Sequence, residues 1–257
     1  MAVLAPDKTD QSRSYAERLA SAFGGKLKVL DVDMASSAFD STVSSDPFNM
    51  TTDASREVGM VIGCDFFVLV RSVNQRRSAF GRADYFEAYA AIYLVSSRTG
   101  RLIDWRLETF EAAKPEASAK HLADATNMLA AEIEQKIIVT SKSELAEPAR
   151  ATMEEPPDQE EPPKLDFRSP IPYRRVKPEY TSQANFYGVT ATVDITVDVD
   201  AAGKIVRTEI VRWAGYGLDE SVVKTVREMN WRPAERNGKP LPMRFLMRYN
   251  FKKMDKE

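Results

Sequence analysis

The chain has 257 residues, a formal net charge of -2 and 29% charged residues. That length allows two modest domains, and the near-balanced charge excludes binding of nucleic acid by bulk electrostatics. No run approaches the roughly 20 apolar residues that a membrane-spanning helix needs, and the lone cysteine, Cys64, excludes an internal disulfide while leaving the compartment open.

No basic, apolar, small-residue signal opens the chain. Ala2-Val3-Leu4-Ala5 reads as a strand that begins almost at Met1. Such a start fits a chain trimmed after an export signal or anchor better than it fits a cytoplasmic protein. Residues 12–23 place Tyr15, Leu19, Ala22 and Phe23 on one helical face, and Gly24-Gly25 stops the helix. Residues 27–32 read as a second strand. Residues 52–62 read as a helix capped by Thr51 or Thr52. Phe66-Phe67-Val68-Leu69-Val70 is the continuous apolar run of a strand buried on both faces. Arg71, Arg76, Arg77 and Arg82, with Phe80 among them, read as a solvated loop in preference to a nucleic-acid or lipid patch. Residues 85–96 and 101–111 form a hairpin around Ser97-Arg98-Thr99-Gly100. Residues 115–138 form a long helix with Ala119, Leu122, Thr126, Leu129, Ile133 and Ile137 on its inner stripe. The pattern of residues 1–143 is therefore α/β.

Residues 144–168 differ in kind. They hold Pro148, Pro156, Pro157, Pro162 and Pro163 between Glu147, Glu154, Glu155, Asp158, Glu160 and Glu161. Prolines remove donors and like charges repel, so an extended spacer is expected, at about 3 Å per residue. Its carboxylates are too mobile to form an acid/base pair.

In residues 169–257, Val189, Ala191, Val193, Ile195, Val197 and Val199 alternate with Thr190, Thr192, Asp194, Thr196, Asp198 and Asp200. This period of two marks a half-buried strand. Asp200-Ala201-Ala202-Gly203 turns, and residues 204–213 return. Leu218-Asp219 opens a helix carrying Val222, Val223, Val226 and Met229. Trp231-Arg232-Pro233-Ala234 and Asn237-Gly238-Lys239-Pro240 lead to a last strand from Met243. Met243, Phe245, Met247, Tyr249 and Phe251 face one way and Arg244, Arg248 and Lys252 the other. The order is strand, strand, helix, strand, giving an α+β / α/β two-domain chain. A sheet this small keeps an edge with unpaired N–H and C=O groups, which an extended peptide can fill. The basic stripe has three readings: a solvated face, a guide for an acidic peptide, or a seat for the chain's own acidic linker that would mask the edge.

Residues able to carry catalysis are sparse. His121 is the only histidine and reads as a surface or boundary residue; Cys64 reads as a buried small hydrophobe. Gly24-Gly25-Lys26 lacks the spacing of a phosphate loop. Trp105, Trp213 and Trp231 read as core or rim aromatics, with a groove framed by Trp213 and Tyr216 as the alternative. No catalytic residue, metal ligand or cofactor is expected.

Two resemblances add to this. Val58-Gly59 followed by Ile62-Gly63-Cys64-Asp65-Phe66-Phe67-Val68-Leu69 resembles the helix-to-strand signature of the amino-terminal domain of TolB and its relatives in the CsgG and LpoB groups. It implies that residues 1–143 are a sandwich of helices on a mixed sheet that acts as a docking module without catalysis. The succession of motifs over residues 169–253 is similar to the carboxy-terminal domain of TonB, the energy transducer of Gram-negative envelopes. That resemblance implies that the edge strand Met243, Arg244, Phe245, Leu246, Met247, Arg248 and Tyr249 grips a periplasmic peptide of an outer-membrane transporter, or another envelope protein. Lys177-Pro178-Glu179-Tyr180 matches an approach segment, with Thr181 where TonB often has a second proline. TonB's amino-terminal membrane helix has no counterpart, so either an anchor was removed or the domain serves as an adaptor. The resemblance implies a periplasmic, non-enzymatic protein. The alternative it leaves is a structural adaptor that self-associates through the sheet edge as a homodimer, or contacts the cell wall.

Overall fold

The structure, a computed structural model, describes residues 1–25, 27–42, 46–148, 152–156 and 166–253. The chain divides into two compact units, Met1–Glu147 and Pro148–Glu257.

The first unit runs β1 (Ala2–Leu4), α1 (Asp10–Ala22), α2 (Val32–Asp40), α3 (Thr52–Ile62), β2 (Phe66–Ala79), β3 (Arg82–Ser96), β4 (Leu102–Ala112), α4 (Pro115–Asp124) and α5 (Thr126–Ala146). Its sheet has the order β1-β2-β3-β4. The β1–β2 pair is parallel and the other two are antiparallel, so the sheet is mixed. Helices α1, α4 and α5 cover one face: Tyr15, Leu19, Leu122, Leu129, Ile133 and Ile137 bury against Val3, Val68, Val70, Ile92 and Leu94. The helix-to-strand signature has a steric basis. A Cβ at Gly59 would overlap the Ser97 side chain, and Gly63 closes α3 at φ 72°, where its N–H reaches the Gly59 carbonyl at 3.0 Å.

Four expectations for this unit are corrected. Residues 27–32 form no strand. Only isolated bonds tie them to the start of β1 (Leu30 N–H to the Met1 carbonyl, 2.9 Å), and Asp31 instead caps α2 through the Met34 N–H at 3.0 Å. The arginine-rich stretch is no loop, because β2 runs through it to Ala79 and pairs with β3 in one long hairpin. There Arg76 pairs with Asp84, Arg77 meets Glu87 at 2.7 Å, and Arg71 lies 3.8 Å from Asp7. The long helix breaks at Ala125, where the Thr126 hydroxyl bonds back to the Ala123 carbonyl at 2.8 Å. Finally, α5 continues to Ala146 and takes the first residues of the expected spacer. Glu144 is buried and accepts from the hydroxyls of Ser96 (3.0 Å) and Thr99 (2.9 Å).

The second unit contains β5 (Phe167–Arg168), β6 (Ile171–Pro172), α6 (Ser182–Tyr187), β7 (Ala191–Val199), β8 (Ile205–Arg212), α7 (Leu218–Arg227), β9 (Trp231–Arg232), β10 (Ala234–Arg236), β11 (Lys239–Leu241) and β12 (Met243–Phe251). The main sheet is antiparallel in the order β12-β7-β8. Its inner face buries Val193, Ile195, Val197, Met243 and Met247, and α7 contributes Leu218, Val222 and Val226 to the same buried set. Smaller ladders join β11-β10-β5 and β6-β9. The short strands and α6 carry too few residues to show a period, and the sequence reading passes over them. Because β5 occupies Phe167–Arg168, the expected spacer is also shorter at its far end; its residues 157–165 lie outside the described residues, as does Lys26.

Candidate functional site

Strand β12 is the margin of its sheet. Among the described residues it pairs on one side only, with β7, in register from Met243 opposite Val199 to Phe251 opposite Ala191. Its odd-numbered side chains enter the core. Met243, Met247 and Phe251 are buried, and Phe245 and Tyr249 half-buried. Phe245 meets the Trp231 ring edge-on, with centroids 6.0 Å apart. This follows from alternation along a pleated strand.

The even-numbered side chains form a polar ladder. Arg244 binds Asp198 through Nε and Nη2 at 2.7 and 2.9 Å, and Arg248 binds Asp194 at the same distances. Arg212 adds a third bond to Asp194 at 3.1 Å, and Thr192 donates to Asn250 at 2.9 Å. Asp194 and Asp198 are only 3% and 4% exposed. Burial pushes the Asp194 carboxyl up, but the Arg248 and Arg212 donors outweigh it and hold the group below the ordinary carboxylate value. Arg244 and Arg248 are thus held by carboxylates of the same sheet. This corrects the reading of them as a free basic stripe that guides an acidic peptide.

The backbone of β12 is a separate matter. In an antiparallel ladder, alternate residues turn their N–H and C=O away from the partner strand. The Arg244 N–H marks the phase: it points outward and donates to the Glu154 carbonyl at 2.8 Å. Leu246, Arg248 and Asn250 share that phase. Among the described residues, no backbone group pairs with them on the outer side. Leu246 is 52% exposed. The open edge from Leu246 to Asn250 is about 17 Å long at ~3.4 Å per residue.

The approach segment is tied to its own domain. Lys177 is exposed and Pro178 buried. The Glu179 carbonyl accepts from the Ser221 hydroxyl at 2.9 Å. The Tyr180 hydroxyl donates to the Val189 carbonyl at 2.8 Å, with the Ala184 carbonyl 3.1 Å away, and its ring stacks on Phe251 at 6.2 Å. The segment therefore buttresses the far end of β12 and leaves the outward edge clear. Thr181 has a role that proline could not fill: its hydroxyl caps α6 through the Ala184 N–H (3.1 Å) and donates to the Tyr216 carbonyl (2.6 Å).

Other candidates are structural. Trp213 and Tyr216 are 1% and 6% exposed, so they frame no groove. Their loop is held by the Asp219 carboxylate, which accepts from the amides of Ala214 (3.0 Å) and Gly215 (2.7 Å). Burial pushes Asp219 up to about 7 against those donors. Burial also raises the Cys64 thiol, which lies 3.7 Å from the Ser97 hydroxyl and so lacks the thiolate character of a nucleophile. His121 meets the ring of Phe110 at 6.3 Å. Among the described residues, no group of three or more His, Cys, Asp or Glu could hold a metal ion. Sequence reasoning missed Glu154 and Arg236 as a pair. They bond through both terminal guanidinium nitrogens, whereas the composition of the acidic stretch reads as a spacer.

Residues 176–252 match the family model described as Gram-negative bacterial TonB protein C-terminal. The solved C-terminal domain of TonB from Pseudomonas aeruginosa is 18% identical over 37% of this chain and 94% of that one, with a TM-score of 0.30. A lipoprotein from Neisseria meningitidis is 12% identical over 52% of this chain and 97% of its own, with a TM-score of 0.34. A minor lipoprotein from Acinetobacter baumannii is 12% identical over 55% and 93%, with a TM-score of 0.27. No curated protein matches the sequence.

Proposed function

We propose that the TonB C-terminal domain at residues 176–252 makes this chain a non-enzymatic, periplasmic cell-envelope protein that binds an extended peptide by strand addition along β12. The partner that suits this domain type is a periplasmic segment of an outer-membrane transporter. One observation carries the reading. The outer side of β12 from Leu246 to Asn250 has no strand partner among the described residues, while the inner side is held to β7 by nine register pairs and two bidentate Arg–Asp bridges. A rigid, half-filled strand can offer its main chain to a partner at small ordering cost. Leu246, Arg248 and Asn250 each present a donor and an acceptor, and each bond formed contributes a net of about 0.5–1.5 kcal/mol. Leu246 supplies an apolar contact on one face of the added strand.

The first unit is read as a docking module for another envelope component. Exposed Met128 and Val139 on the outer side of α5 support this. A second reading, a structural adaptor that dimerises through the same edge, draws on the fact that an antiparallel edge is complementary to its own copy. One variant tests the main reading. Leu246→Pro removes an outward donor that the β7 ladder does not use, so affinity for a fluorescent transporter-derived peptide should fall at least tenfold with the fold retained. Unchanged affinity in a folded variant would refute it. A concentration-dependent dimer that ignores peptide would favour the adaptor.

A further inference from the structure

Among the described residues, the edge of β12 is open along most of its length, but not at its start. There the chain's own acidic segment is already seated. The Glu154 carbonyl takes the outward N–H of Arg244 at 2.8 Å, the first outward donor of the strand. The Glu154 carboxylate pairs with Arg236 on β10, and a carboxylate oxygen of Glu155 lies 3.9 Å from the Arg244 guanidinium. The main-chain bond is of the kind an added strand would make, and two ion pairs accompany it.

We infer that the segment around Glu154 and Glu155 is a built-in competitor for the β12 edge, which an incoming strand must displace at Arg244 in order to pair along the full length of the strand. This rests on the reading of β12 as the docking edge. The contact is suited to release. It uses a single backbone bond, so among the described residues nothing stops Leu246, Arg248 and Asn250 from making the first contacts with a partner. The Glu154 and Arg236 side chains are 45% and 48% exposed. Exposed ion pairs of this kind are screened by salt. The strap therefore loosens as ionic strength rises, so an uncharged strand binding at this edge should gain affinity in salt, whereas a partner held by charge should lose it. The polar ladder is unaffected by release, because Arg244 keeps its two bonds to Asp198.

The test uses the full chain and two measurements. Amide hydrogen exchange needs no partner. In the unaltered protein the Arg244 amide should exchange several-fold more slowly than those of Leu246 and Arg248, after correction for intrinsic rates. In a Glu154→Gln/Glu155→Gln variant, or in high salt, it should approach theirs. Equal rates in the unaltered protein would overturn the proposal. Replacement of residues 152–156 by glycine and serine provides a second variant that removes both carboxylates and loosens the segment's backbone. The other measurement titrates a capped eight-residue peptide of alternating threonine and valine. Several-fold tighter binding to either variant than to the unaltered protein is expected. Equal affinities would refute the competitor while leaving the docking edge standing. Binding to none of the proteins, with the exchange difference present, would overturn the docking edge and the competitor role together.

Discussion

Asp194 and Asp219 are both buried carboxylates with hydrogen-bond donors, yet the donors prevail at Asp194 and burial prevails at Asp219. Asp194 faces Arg248 and Arg212, so its folded form titrates below the ordinary 3.8. A group lowered in this way adds stability at pH values above the unfolded value, and the contribution is lost as the pH falls through the folded one. The second unit should therefore lose stability on acidification below about pH 4 in a way that Asp194→Asn does not. Denaturant midpoints measured across that range check this. At neutral pH, Asp194→Ala should cost about 1–2 kcal/mol, discounted from the buried-pair range because Arg248 is more than half exposed. Asp219 has only backbone donors, and burial raises it to about 7. Here the folded state binds the proton more tightly than the unfolded chain, so the contribution is present at low pH and declines as pH rises from 3.8 toward 7. The amides of Ala214 and Gly215 should shift in an NMR titration centred near 7, and Asp219→Asn should abolish that inflection. A flat profile would show that the two amides hold the carboxylate charged throughout.

At the scale of the element, the sequence was legible where one strand carries one period. The alternation in β7 and β12 predicts their apolar faces, although Asp194 and Asp198 on the polar face of β7 are buried as well. Where the decisive interaction is between strands, the pattern misleads. Arg76 and Arg77 look like a loop because their partners, Asp84 and Glu87, sit on the returning strand and only folding brings them opposite. The Arg244–Asp198 and Arg248–Asp194 bridges were hidden for the same reason: a one-strand reading sees a basic stripe, whereas the register of β12 on β7 neutralises it. The start of α2 was missed because capping by Asp31 outweighed the weak alternation of residues 27–32. The close approach of α3 to the β3–β4 turn has its own test. Gly59→Ala should destabilise the first unit by about 1–3 kcal/mol, the usual range for overpacking, because the Ser97 backbone and side chain leave no space for a methyl group. A thermal scan showing no loss would mean that the turn yields.

For the whole molecule, composition located the division between units better than its limits. The proline- and glutamate-rich stretch gave the region, but Glu144 reads as spacer until its two hydroxyl partners, 45 and 48 residues earlier, are known. Likewise, nothing local distinguishes Glu154 from its acidic neighbours; its place on β12 depends on Arg236 and Arg244, some 80 to 90 residues on. Because each unit has its own core, the fragment 148–257 should unfold cooperatively on its own, with the denaturation midpoint of the corresponding transition in the full chain. The most direct test of the docking edge is residue-resolved. The full chain is titrated with capped peptides copying periplasmic segments of outer-membrane transporters, while backbone amides are followed by NMR and hydrogen exchange. The amides of Leu246, Arg248 and Asn250 should shift and gain protection, with those of Phe245 and Met247 already protected by β7. Perturbations confined to β8 or to helix surfaces, with the three outward amides unmoved at saturation, would contradict the account.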